Sequence, residues 1–270
     1  MYKIIFSDID GTLLNGLRAL SNNTINEVKK LAGKIPFILV SSRMPRQMYH
    51  LQNDLGINAL PLIAYNGGLV TNGEHILHST MIPFAVLEKV VALNEQYFQG
   101  KIHISFYNNN EWYVPEYDQW AQREENNTLV KPEVLPNREV LTQWQSTQKG
   151  AHKLMLMGEE QLISKMFALL NEQFADAMQI YRGKETYIEL SDKSVSKLTG
   201  IKVILDEIYH FSLEEALAFG DNYNDLEMLE GVGCGVAVDN ARDEVKAVAK
   251  HITLHHSKDG VAEFLKQLNN

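Results

Sequence analysis

The chain has 270 residues, 45% hydrophobic and 22% charged, with a formal net charge of −9 at pH 7. A chain of this size can bury a sizeable core and accommodates two compact units, and its balance is that of an ordinary globular protein. The acidic charge argues against broad nucleic-acid binding, which needs a concentrated Lys/Arg face, and the single cysteine, Cys234, excludes an internal disulfide or a cysteine-based zinc site. No apolar run approaches the roughly 18 residues that span a bilayer, so no membrane association is expected. The N-terminus enters a strand pattern at once, without a basic segment followed by a long apolar stretch. A cytoplasmic protein is expected.

In chain order, Tyr2 to Ser7 reads as a buried strand that runs straight into Asp8-Ile9-Asp10-Gly11-Thr12. Ser21 to Leu31 opens with a capping Ser-Asn-Asn and places Ile25, Val28 and Leu31 at helical spacing. Pro36 to Val40 is a second apolar run ending in Ser41-Ser42-Arg43, and Leu62 to Tyr65 a third, ending in Asn66-Gly67-Gly68. Strands that each end in polar or glycine residues predict a parallel sheet whose C-terminal loops build a site.

From about Pro83 to Thr186 the composition changes. Aromatic pairs such as Phe106-Tyr107 and Trp112-Tyr113 flank a turn at Asn108-Asn109-Asn110, which predicts a hairpin. His152 to Met157 reads as a strand and Leu162 to Phe174 as a helix. The α/β pattern then returns, with a helix from Lys197, a strand over Glu215 to Phe219, the loop Gly220-Asp221-Asn222-Tyr223-Asn224-Asp225 and a short strand over Val236 to Val238. The expected architecture is α/β: a Rossmann-like parallel-sheet core over residues 1–83 and 187–270, with a smaller α+β cap domain inserted over 84–186.

Chemistry concentrates at Asp8 and Asp10. Residues i and i+2 of an extended chain project to one side, so both carboxyls can address one ligand from a strand end. Gly11 lets backbone N–H groups approach an anion. One carboxylate can attack phosphorus while its neighbour serves as acid and base. Alone, such a segment is as readily a solvated turn. Likewise Asp221 and Asp225 alone read as helix-capping residues, and Lys197 alone as a solvated lysine.

Taken together and in this order, these segments resemble those of the haloacid dehalogenase superfamily, in particular its Cof-type sugar-phosphatase branch with a large inserted cap. Asp8 to Leu14 matches the first motif, Ser41 the phosphate-binding Ser/Thr, Lys197 the lysine after the cap, and Gly220 to Asp225 the acidic fourth motif. Asn66-Gly67-Gly68 and Asp259-Gly260-Val261-Ala262 match smaller signatures. The resemblance implies an Mg²⁺-dependent phosphatase acting on a small phosphorylated metabolite, such as a sugar phosphate, through a phospho-aspartate on Asp8. It implies Asp10 as acid and base, with Asp8, the Asp10 carbonyl and Asp221 as metal ligands. Ser41 and Lys197 would hold phosphate oxygens. Asn224 is grouped with this phosphate site and orients the lysine or the metal ligands. Ser42, Arg43, Asn66, Gly67 and Asp225 would support the site or meet substrate. The branch commonly has Gly where Ser42 stands, and Met-Gly where Val238-Asp239 stands. A phosphomutase of the same fold and a catalytically idle binding protein are the alternatives, and the intact Asp8/Asp10 pair disfavours the second.

Two tempting features have plainer readings. Gly231-Val232-Gly233-Cys234-Gly235 imitates a dinucleotide fingerprint but precedes a strand instead of opening a helix. The adjacent His255 and His256 lack partners at ligand spacing and read as a solvated pair.

Overall fold

The computed structural model describes residues 2–268. The chain folds as two compact units, one formed by Met1–His78 with Ser196–Asn270, the other by Ser79–Val195. The strands are, in order, β1 (Ile4–Ser7), β2 (Phe37–Val40), β3 (Leu62–Ala64), β4 (Leu69–Asn72) and β5 (His75–Ser79), then β6 (His103–Asn108), β7 (Glu111–Val114), β8 (Glu133–Val134), β9 (Lys153–Met157), β10 (Met178–Lys184) and β11 (Tyr187–Asp192), and finally β12 (Ala216–Gly220), β13 (Cys234–Ala237) and β14 (His251–Ile252).

The first unit is built on one sheet of order β14-β13-β12-β1-β2-β3-β4-β5. Pairing is parallel from β14 through β3 and turns antiparallel at β3/β4. Every residue of β1, β2 and β12 is buried, as expected of parallel strands covered on both faces, which therefore read as continuous apolar runs. Alternate residues Ile4, Phe6, Ile38, Val40 and Ile63 share one core with Ile201 and Ile204 of the Lys197–Ile204 helix and Met228 of the Leu226–Gly231 helix. The helices Asn22–Lys29 and Gly260–Leu268 pack on each other. Ser21 caps the first of these, its side chain accepting from the Thr24 N–H, which satisfies one of the orphan donors at a helix start.

The inserted unit carries a second sheet, of order β10-β11-β9-β6-β7-β8. Its period-2 pattern sorts the residues cleanly. Ile104, Phe106, Leu154, Leu156, Ile188 and Leu190 face a core shared with the helices Phe84–Phe98, Asn137–Gln145 and Glu160–Phe174, while His103, Ser105, Lys153 and Glu189 occupy the alternate positions. Asn109 and Asn110 join β6 and β7 as the anticipated hairpin. Residues 187–195, assigned from sequence to the returning core, instead belong to this unit. Strand β11 pairs antiparallel with both β10 and β9, and those ladder hydrogen bonds hold it in the second sheet through Asp192. Trp112 is buried and stacks on Tyr107, so it serves packing. No helix among the described residues is long and apolar enough to cross a membrane.

Candidate active site

The site lies entirely in the first unit, at the C-terminal ends of its parallel strands. Strand β1 pairs with β12 so that Ser7 lies opposite Phe219, and the Asp8 N–H donates to the Phe219 carbonyl at 3.0 Å. This register sets Asp8 beside the Gly220–Asp225 loop, although more than two hundred positions separate them in sequence.

Lys197 is wholly buried and bridges two carboxylates. Its Nζ donates to Asp8 Oδ1 at 2.5 Å and to Asp225 Oδ1 at 2.6 Å. The other Asp225 oxygen accepts from the backbone N–H groups of Asp221 and Asn222, at 2.8 and 3.0 Å. A buried charge needs full pairing, and both Lys197 and Asp225 have it. Burial alone would lower the Lys197 pKa, but the Asp225 and Asp8 charges outweigh it and hold the ammonium firmly protonated. For Asp8 burial dominates and drives its carboxyl well above the usual range, reinforced by Asp225 and Asp221 and opposed by Lys197.

Asp221 is pushed up to about 6, chiefly by burial and then by the Asp225 charge. Its Oδ1 accepts from the Thr12 hydroxyl at 3.1 Å. Gly11, at φ +86°, lets the carboxylate lie against the first loop: a Cβ there would stand 2.5 Å from Asp221 Oδ2. Asp8, Asp221 and Asp225 each offer a carboxylate oxygen, all within 4.8 Å of one another. Their hydrogen bonds separate their capacities. Asp225 has both oxygens engaged, whereas Asp8 Oδ2 is buried with no hydrogen-bond partner. An orphaned anionic oxygen beside a second carboxylate is the donor set a hard divalent cation takes.

Asp10 sits differently. Arg43 forks onto it, Nε to Oδ2 at 2.7 Å and NH2 to Oδ1 at 2.8 Å, and Arg18 NH2 reaches Oδ1 at 2.7 Å. Burial pushes the Asp10 carboxyl up, but the Arg43 hydrogen bonds and charge, with Arg18 and Lys197, overcome it and the net shift is down. Without substrate, Asp10 is therefore held in its ionised form, because two guanidinium groups face it.

Ser41 is buried directly after β2 and its Oγ accepts from the Arg43 N–H at 3.2 Å. Ser42 beside it is half-buried. Asn66 and Gly67 follow β3; the Asn66 side-chain oxygen accepts from Asn224 Nδ2 at 3.0 Å. The structure thus gathers Asp8, Asp10, Ser41, Arg43, Asn66, Lys197, Asp221, Asn224 and Asp225 around one group of loops.

Other residues here were given no site role from the sequence. Arg18 and Thr12 bind the two outer aspartates. Asn240 donates to the Gly11 carbonyl at 2.8 Å and accepts from the His256 N–H at 3.0 Å. His256 Nδ1 lies 2.7 Å from the Leu14 carbonyl. The expected solvated histidine pair is corrected on this point: both rings are half-buried, and His256 braces the loop that follows Asp8. A lone His or Asn carries no local signal for such a role, which only the β1/β12/β13 strand order creates.

An open, mostly parallel sheet gathers a buried lysine and four aspartates at its strand ends, where α/β folds place their ligand sites. The chain belongs to the haloacid dehalogenase-like hydrolases, whose family pattern it matches over residues 5–265. A relative from Haemophilus influenzae is 34% identical over 271 residues, covering 99% of this chain and 98% of that protein. The 5-amino-6-(5-phospho-D-ribitylamino)uracil phosphatase YitU of Bacillus subtilis is 28% identical, with 98% and 96% covered. The crystal structure of a haloacid dehalogenase-like hydrolase from Bacteroides thetaiotaomicron superposes with a TM-score of 0.87 at 26% identity, covering 99% of this chain and 100% of that one. The protein is a phosphatase of this family.

Proposed function

We propose that this phosphatase hydrolyses a small phosphate monoester, such as a sugar or polyol phosphate, through a phospho-aspartate on Asp8 with Mg²⁺ as cofactor. The observation that carries the reading is the pairing of Asp8 Oδ1 with the buried Lys197 ammonium while Oδ2 has no partner. One oxygen is anchored; the other is available. The named substrate of the Bacillus subtilis relative, a phosphorylated ribitylamino-uracil, is of this size class.

Asp8 and Asp221 would hold the metal together with the Asp10 carbonyl, and Asp225 would fix Lys197 instead of serving as a ligand, since its oxygens are already used. When bound, Mg²⁺ supplies positive charge against the phosphoryl oxygens in a site whose protein background is acidic. Asp8 attacks phosphorus, the P–O bond to the leaving group breaks, and the departing alkoxide takes a proton from Asp10, which would enter this step as the carboxylic acid once the negative charge of the bound phosphate raises its pKa against Arg43 and Arg18. Asp10, again a carboxylate, then removes a proton from water, which attacks the phospho-aspartate and releases inorganic phosphate. Lys197, near both Asp8 and the transferred group, and Ser41 would hold phosphate oxygens through the in-line transfer.

The test is phosphate release across sugar phosphates, nucleotides and cofactor phosphates, with and without Mg²⁺. Metal-dependent release from a restricted set of small monoesters is expected. Full activity after exhaustive chelation, with no metal detected in the protein, would overturn the metal assignment.

A further inference from the structure

The turn after β3 carries no carboxylate, lysine or histidine, yet it touches three of the segments that build the site. Tyr65, Asn66 and Gly67 have φ values of 51°, 56° and 102°, three successive residues in the left-handed region. For Tyr that conformation is costly, Asn tolerates it better than most side chains, and Gly adopts it freely. Strained backbone of this kind persists where its surroundings over-determine it, and here the constraints are visible. The Asn66 N–H donates to the Ser41 carbonyl at 2.8 Å and the Tyr65 N–H to the Arg43 carbonyl at 3.1 Å. Gly67 is pressed on the start of the lysine helix so closely that a Cβ would stand 2.1 Å from the Ser196 carbonyl oxygen. Ser196 is the N-cap of the helix whose first residue is Lys197. The third contact is the Asn66 side chain itself, which takes the Asn224 amide from inside the Asp221–Asp225 loop.

We propose that Asn66 is a positioning residue for phosphoryl transfer: through Asn224 it fixes the acidic loop against the Ser41 and Lys197 segments, and so sets the distance from Asp221 and Asp225 to Asp8. This rests on the reading of Asp8 as the phosphoryl acceptor. It also gives Asn224 a specific task. Its Nδ2 donates to Asn66, which makes Asn224 the link between turn and loop and leaves the grip on phosphate oxygens to Ser41 and Lys197. The left-handed backbone explains the residue type: an amide reaching sideways from a positive-φ position satisfies both the turn and the loop, which Gln, with its longer stem, would overshoot.

The experiment is a double-mutant cycle with Asn66→Gly and Asn224→Ala, read on the full chain with saturating Mg²⁺ and p-nitrophenyl phosphate. Glycine keeps the positive φ, so Asn66→Gly removes only the amide. Each single change is expected to lower kcat by about 10- to 100-fold, the range typical of residues that orient catalytic ligands. KM and inhibition by inorganic phosphate should change little, the melting temperature should stay within a few degrees, and the double variant should be no worse than the worse single one, since both remove one link. Additive losses, or an Asn66→Gly enzyme with wild-type kcat, would overturn the proposal. So would a large rise in the inhibition constant for phosphate in Asn224→Ala alone, which would make Asn224 a direct phosphate contact. Should Asn66→Gly melt early, Asn66→Ser, which keeps a short polar side chain, takes its arm of the cycle. A wild-type enzyme that releases no phosphate would instead defeat the phosphatase reading, so the two failures are distinguishable.

Discussion

Lys197 Nζ stands 2.5 Å from Asp8 Oδ1 and 2.6 Å from Asp225 Oδ1, with no solvent exposure of the lysine side chain. One ammonium therefore holds two carboxylates from opposite ends of the sequence. Replacing it by Met leaves Asp8 buried with no side-chain partner, while Asp225 keeps only its two backbone N–H bonds. Breaking a buried pair in this way typically costs about 3–5 kcal/mol. The sign of its pH dependence follows. Burial already raises the Asp8 carboxyl and Lys197 opposes that shift, so without the lysine the native state binds this proton more tightly than the unfolded chain and stability falls as pH rises. The deficit of Lys197→Met, measured by urea unfolding of metal-free protein, should grow between about pH 5 and about pH 8. A deficit independent of pH would mean that Asp8 is not stranded.

Metal binding should release protons. Asp221 is pushed up to about 6 by burial and Asp225, and the Asp8 carboxyl is raised well above its ordinary range. A cation that takes their carboxylate oxygens must displace whatever protons they carry. Mg²⁺ affinity, followed by calorimetry in two buffers of different ionisation enthalpy, should weaken as pH falls through about 6, with protons released on binding. Thr12→Val, which removes the hydroxyl that donates to Asp221 Oδ1, should move this loss to higher pH.

The Arg43 fork predicts a kinetic signature. It holds the Asp10 carboxyl below its ordinary value against the opposing effect of burial, so the base form survives to low pH. In Arg43→Gln the carboxyl should rise, and the acidic limb of the kcat profile should shift to higher pH when dephosphorylation limits the rate. Arg18→Gln, which removes one exposed partner, should produce a smaller shift in the same direction. An unchanged limb in both variants would show that Asp10 is not the group titrating there.

Much of this centre was legible in the sequence because its chemistry sits directly after apolar strands. Asp8, Ser41 and Asp221 each follow a continuous hydrophobic run, which announces both a buried parallel strand and its functional end. Lys197 was legible only through the resemblance, since a lysine at a helix start ordinarily faces water. Arg43 was named as a support or substrate contact, but the partners of the supports were not legible. Arg43 pairs with Asp10, Asn240 with Gly11 and His256 with Leu14 through contacts created by strand order, and no spacing rule encodes them. The turn at Asn66 could be seen as a turn, but its contact with Asn224 spans 158 positions. The limits of the inserted unit were misplaced for a related reason. Strand β11 has an ordinary alternating pattern, and only its pairing with β9 and β10 decides which sheet it joins.

The central claim is that phosphate passes through Asp8 with Asp10 handling the protons, and intact-mass measurement after rapid quench tests it most directly. Asp10→Asn leaves Asp8 in place but removes the carboxyl that protonates the leaving oxygen and activates water, a contribution typically worth about 10² to 10⁴ in rate. With an aryl phosphate, whose leaving group departs without much protonation, this variant should accumulate one phosphate on Asp8, and that phosphoenzyme should hydrolyse slowly. With a sugar phosphate it should accumulate far less, and Asp8→Asn should show no phosphoenzyme with either. Equal losses for both leaving groups in Asp10→Asn with no slowing of dephosphorylation, or phosphate trapped on Asp8→Asn, would contradict the assignment.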